Sequence, residues 1–297
     1  MTIQESALLI KIKCTKWQHS KNDKEAATAL AIQHNVFDKD GNPDHKAFSV
    51  HQNMADVPVI KALDKTIGRV GNNVVRKMLL PWTEGEHLVT ADILDKVERK
   101  IEEYQDHLID LERELKQEWP TKLKELESRL GDKFDPDFYP SVDDIADAYS
   151  ITYKLKNIDD SNDIRVKLPN SKIKKIKEDA EEEITRKVKV AQDKVRDRVV
   201  GVLETMIEGL ERHGVIEEGA TKPSKFANST IANVKELADI LPDLNIFGDD
   251  QLDIAANKIL SKLRNANPDE LRESEDKRKE TIKDAKNIVD SLSGFYD

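Results

Sequence analysis

Basic side chains recur at every second position in two short runs of this chain, Ile151-Thr-Tyr-Lys-Leu-Lys156 and Ile164-Arg-Val-Lys-Leu168. A period of two places successive side chains on opposite faces of a strand. Lys154, Lys156, Arg165 and Lys167 therefore share one face, and Ile151, Tyr153, Leu155, Ile164, Val166 and Leu168 share the other. The residues between the runs, Asn157 to Asp163, are turn formers, so the pair reads as a β-hairpin. A hairpin alone is marginal in water. The N-terminus offers a third strand, in which Leu8, Ile10 and Ile12 alternate with Lys11 and Lys13. Cations at fixed spacing on a firm surface attract anions, either phosphates or the carboxylates of an acidic protein face.

The charge runs extend this reading. Eight basic residues stand against three acids between 154 and 177, while six aspartates stand against Lys133 between 132 and 148. The candidate contact set is Lys11, Lys13, Lys154, Lys156, Arg165, Lys167, Lys172, Lys174 and Lys175. Lysines in the first turn of a helix oppose its dipole, so something other than the helix itself is expected to favour the last three there. A second reading of the strand lysines is that they keep strand edges from pairing with other chains, with the adjoining acids neutralising them. Both readings stay open at this point.

Other motifs commit less. Gly68, Arg69 and Gly71 resemble the G-x-x-G loop with which KH domains clamp single-stranded nucleic acid. The segment falls in a helical pattern, where two glycines would instead permit close packing or a short break. Asp38-Lys-Asp-Gly-Asn-Pro-Asp44 starts like a calcium loop, but the sixth position is Pro43 and the twelfth is Ser49, so a surface turn is expected. His19, His34, His45 and His51 lack zinc-finger spacing, and Cys14 is the single cysteine. Walker and Rossmann loops, a nucleophile elbow and H-E-x-x-H are absent. No catalytic residue, metal ligand or cofactor is assigned, and the chain is expected not to be an enzyme.

The elements that must position the lysines are long helices. From Thr90, the expected N-cap, apolar residues fall at steps of three and four through Ile93, Val97, Ile101 and onward to Leu130, and the stripe stops at Gly131. Pro120 lies inside it and is expected to kink it. A second stripe runs from Ile173 through Ile184 and Val195 to Leu210, ending at Gly214. The fold expected is mainly α: a long antiparallel helical hairpin of about 90–131 and 171–213, a small β head with strands about 7–14, 151–156 and 164–168, and a C-terminal helical subdomain. Pairing of the arms between chains, as a coiled coil in an oligomer, is the rival arrangement.

Shorter helices flank these arms. Asn22-Asp-Lys-Glu25 resembles a capping box opening a helix to about His34, and residues 57–80 form an amphipathic region closed by Leu80-Pro-Trp82. Helices near 231–241, 251–264 and 268–292 follow, the last with Asn267 as N-cap and Pro268 at its first position. The expected domains are 1–215, a linker at 216–230, and 231–297.

Composition sets the outer bounds. Charged residues make up 36% of the 297, aromatics 5%, and the net charge is −10, which fits exposed helices and argues against a protein that coats nucleic acid generally. No apolar run approaches the 18 to 20 or so residues that span a bilayer. With one cysteine and no signal-peptide pattern, the expected location is the cytoplasm, or a host's cytoplasm if the chain is phage-encoded.

Two segments carry a resemblance. Met78-Leu-Leu-Pro-Trp82 ahead of the first arm and Leu130-Gly-Asp-Lys-Phe-Asp-Pro-Asp-Phe-Tyr-Pro-Ser141 after it, followed by Tyr149-Ser-Ile-Thr-Tyr-Lys and a second long helix, resemble a helical family common in tailed bacteriophages and prophages. Over roughly residues 1–215 the similarity rests on motif order. Members are often encoded near MoxR-type AAA+ ATPases and von Willebrand factor A-domain proteins, so the resemblance implies a non-catalytic adaptor or scaffold that binds a protein partner, such as an AAA+ ATPase of a remodelling system. It supplies no catalytic residues. The alternatives are nucleic-acid binding through the basic strand face and inhibition of a host enzyme or nuclease by acidic surfaces.

Overall fold

The computed structural model describes residues 3–53, 55–158, 169–216 and 222–293. Its elements in order are α1 (Ile3–Ser6), β1 (Ala7–Thr15), β2 (Ser20–Asn22), α2 (Lys24–Gln33), β3 (His51–Asn53), α3 (Pro58–Val70), α4 (Arg76–Met78), β4 (Leu80–Thr83), β5 (Glu86–Thr90), α5 (Ala91–Leu130), α6 (Val142–Asp147), β6 (Ser150–Lys156), α7 (Asn170–Arg212), α8 (Asn228–Leu244), α9 (Asp250–Lys258), α10 (Pro268–Glu273) and α11 (Glu275–Ser293). The chain is mainly α, with helices of 40 and 43 residues and a small sheet in the order β4-β5-β1-β6. Both long helices fall within a residue of their expected ends, and strands 7–14 and 151–156 appear as β1 and β6. The expected strand 164–168 lies outside the described residues.

The chain forms two compact units, one of Met1–Ile12, Asn72–Arg99 and Tyr153–Asp297, the other of Lys13–Gly71 and Lys100–Thr152. In the first unit α7 packs along α11 and α8 and against β4. Its residues Val195, Val199, Leu203, Met206 and Leu210 are fully buried, and Ile288 and Leu292 of α11 with Val234 and Leu241 of α8 are buried as well. An apolar stripe on a helix must find a cover, and the C-terminal helices supply it here. Gly209 lies on the α7 face turned to α8, where a Cβ would make ordinary contact with Thr230 Cγ2 at 3.4 Å.

The sheet corrects one expectation. Leu80-Pro-Trp82 does more than end a helix: it opens strand β4, which turns at Gly85 (φ 75°) and pairs antiparallel with β5. A proline is tolerated there because β4 is an edge strand with an irregular register between Pro81 and Thr83. Arg198 of α7 locks the approach to this strand by donating to the carbonyls of Lys77 and Leu79, each at 2.8 Å. Burial pushes the Arg198 guanidinium down to about 10, and it stays cationic at neutral pH. Lys187 lies over the Trp82 ring, 5.5 Å from its centroid.

Several helix ends shift. Thr90 precedes α5 as expected, yet its hydroxyl is buried with no hydrogen-bond partner and does not cap the helix. The cap of α2 is Asp23, one residue past the expected Asn22, accepting from Ala26 N at 2.9 Å. Asn267 caps α10 as expected, accepting from Asp269 N at 3.0 Å. The single helix expected over 268–292 is two, because Ser274 is extended (φ −112°, ψ 113°) and its hydroxyl accepts from Lys277 N. The 57–80 region is likewise interrupted, by a π-helical turn at Gly71–Val75.

The second unit holds the antiparallel pair of β2 and β3, with α2, α3, α6 and most of α5. Along this part of α5 the stripe is buried at Ile101, Leu108, Leu115, Trp119 and Leu126. Aromatic rings gather around Trp17, whose ring centroid is 6.0 Å from those of Trp119 and Phe138 and 6.4 Å from that of Tyr139. Phe134 stacks on Tyr139 at 5.0 Å. Among the described residues no helix is long and apolar enough to cross a membrane.

Candidate binding surface

Strand geometry decides how many of the predicted cations share a face. Thr15 and Ser150 hydroxyls lie 2.8 Å apart, and the Thr152 hydroxyl donates to the Lys13 carbonyl, so β1 and β6 run antiparallel. Carried two residues further, that register sets Lys11 opposite Lys154. Lys11, Lys13, Lys154 and Lys156 are all exposed. The face is not basic throughout, because Ala7 and Leu9 lie on the lysine side of β1 and are buried. Arg165 and Lys167 lie outside the described residues.

Like charges directly across a strand pair repel, and this face contains its own counter-ion. Glu86, at the start of β5, sits 2.9 Å from Lys156 Nζ and accepts from the Thr83 hydroxyl at 3.0 Å. The Lys156 hydrogen bond, with help from Thr83 and the charge of Lys11, holds the Glu86 carboxyl below the usual glutamate range. The surface is therefore a mixed pattern of lysines around one carboxylate. Its reverse side is also open at the strand's end. Ile151 is buried and Tyr153 donates to Glu98 at 2.7 Å, but Leu155, expected within the covered face, is 38% exposed.

The α7 lysines form a separate group. Lys172, Lys174 and Lys175 are exposed on the first turns, where Pro169 precedes the helix without a side-chain cap. Lys174 pairs loosely with Glu178 one turn on, at 3.7 Å.

The Gly68–Gly71 segment is not a KH loop. Gly68 and Arg69 lie in the last turn of α3, and Gly71 has helical angles (φ −58°, ψ −41°) at the start of the π turn. A Cβ at either glycine would meet open space, so close packing does not explain them; the chain there does break into a π turn.

Distance in sequence hid one cluster. His19 Nε2 lies 2.7 Å from Asp64 Oδ2, Tyr149 donates to Asp64 Oδ1 at 3.3 Å, and Lys16 Nζ is 3.7 Å from the same oxygen. Burial, reinforced by the Asp64 charge, pushes the Tyr149 phenol up. His19 Nδ1 lies 3.3 Å from Asn53 Oδ1, which also accepts from Ala55 N. The three principal residues are 45 and 85 positions apart, and no spacing rule connects them. The cluster ties the end of β1 to α3 and to the residue before β6 within the second unit.

No protein-family model, curated protein or solved structure matches this chain.

Proposed function

We propose that this protein works by binding another protein, as an adaptor or scaffold, and that the lysine face at the end of β1 and β6 is its contact surface. The observation that carries this reading is Glu86 paired with Lys156 and under the charge of Lys11. A phosphate backbone meeting this face would be repelled by a carboxylate held in its ionised form. A protein surface can answer an alternating pattern charge for charge. The resemblance of Met78–Trp82 and Leu130–Ser141 to the phage family makes a remodelling ATPase of the AAA+ class the leading partner. The host cytoplasm is the matching location.

The test is capture with the full chain as bait, beside a variant carrying Lys11→Glu and Lys154→Glu. A stoichiometric protein retained by the native chain and lost by the variant is the expected result. Tight oligonucleotide binding that weakens steeply with salt, with no protein retained, would replace this reading with the nucleic-acid alternative.

A further inference from the structure

One polar atom inside the sheet of the first unit is left without a partner. His87 lies in β5, where its paired residues are Ile10 on β1 and Pro81 on β4. Alternation turns its side chain away from Glu86, onto the sheet face that also carries the fully buried Ile10. His87 Nδ1 is shut off from solvent and meets no hydrogen-bond partner among the described residues. A neutral imidazole tolerates that position, because its proton can sit on Nε2 and leave only a lone pair at Nδ1. An imidazolium does not, because Nδ1 then carries an N–H with no acceptor and the ring brings charge into an apolar site. The titratable groups that share this face within the unit are Tyr153 of β6 and Glu98 of α5, and they bond to each other at 2.7 Å. Burial holds the His87 imidazole below the usual histidine range, with no neighbouring charge adding to the effect.

We propose that His87 is an acid-sensitive latch: when its imidazole takes a second proton, the ring leaves its buried position and β5 opens locally from β1 and β4. The ladder is weakest at this point. Pairing of β1 with β5 runs from Ala7–Thr90 to Ile10–His87, so His87 stands at the last pair and opening can start from an end. On the other side its partner is Pro81, which has no N–H to give, and the register shifts between Pro81 and Thr83. Glu86 is the next residue along β5, so the same opening reaches the lysine face. The sign follows from proton uptake. The opened state accepts the proton more readily than the closed one, so the closed state is fully favoured above the usual histidine range and loses ground as pH falls through it. The inference rests on the packing of the sheet and stands apart from the partner-binding reading.

Hydrogen–deuterium exchange on the full chain, at about pH 7.5 and about pH 5.5 and corrected for the intrinsic rate, reads the opening directly. Segments covering Leu80–Thr90 and Ala7–Ile10 are expected to lose protection at the lower pH, by up to about tenfold per pH unit for the uptake of one proton. Val195–Leu210, buried beneath α8 and α11, should keep its protection. His87→Phe keeps a ring and cannot take a proton, so its β5 protection should be the same at both pH values. In the native chain, which needs no substitution, the nitrogen chemical shifts of the His87 ring should show the proton on Nε2 at pH 7.5 and a second protonation that tracks the loss of protection. Equal protection of β5 at both pH values, acid opening retained in His87→Phe, or a proton on Nδ1 at pH 7.5 would each overturn the proposal. The Lys11→Glu and Lys154→Glu variant should show the same acid opening whether or not it captures a partner, which separates the two readings.

Discussion

The two halves of α7 share one helical pattern and meet opposite fates. From Ala191 to Leu210 the stripe is sealed beneath α8, α11 and β4, while from Ile173 to Ile184 the same spacing of apolar residues stays half open. Period alone shows that a helix has an apolar face. It does not say what covers that face, because the cover comes from residues far away in the chain. The C-terminal half of the stripe is taken by helices that follow it in the chain.

This contrast can be broken by mutation. Leu203→Ala empties a fully buried site and is expected to cost about 2–5 kcal/mol in urea unfolding. Ile176→Ala, measured at high salt, should stay within about 0.5 kcal/mol of the native chain. Equal costs would show that the halves do not differ. Arg198→Met removes both donors to the carbonyls of Lys77 and Leu79 and should cost about 1–3 kcal/mol, since those acceptors lose their partners. Asp249→Ala should cost about 1 kcal/mol, because Asp249 caps α9 through Gln251 N and Leu252 N. It also pairs with Arg196 on the covered half of α7, and that loss adds to the cost.

The smallest effect concerns Glu86 and pH. Its carboxyl titrates lower in the folded chain than in the unfolded one, so its contribution is complete above the ordinary glutamate range and is lost as pH falls through the lowered folded value. Glu86→Gln should remove that part of the acid dependence and leave the neutral-pH fold intact. A variant with unchanged acid dependence would show that Lys156 does not hold the carboxylate.

Parts of the site were legible residue by residue. Alternation in Leu8–Lys13 and Ile151–Lys156 is enough to locate two strands, and hydrophobicity makes their meeting reasonable across some 140 positions. Glu86 was not legible as part of that face, because Leu80–Thr90 is short, contains a proline and shows too few alternating residues to read as a hairpin. The His19, Asp64 and Tyr149 cluster left no signal either, since each residue is unremarkable in its own neighbourhood. Thr90 and Ser274 make the same point about helix ends. A capping residue type at the right position does not guarantee a bond, and a hydroxyl within a charged run can split a helix that periodicity would join.

By itself the sequence determined the two long helices, the β1 and β6 strands, the Asn267 cap and the order of charge at the start of α7, all of which depend on neighbours within a few residues. Tertiary structure alone decided which half of α7 is covered, that Glu86 sits among the lysines, and that Arg198 closes the end of α4. Those outcomes depend on which distant backbone carbonyls, carboxylates and apolar faces arrive at the same place, and local propensity carries no information about that.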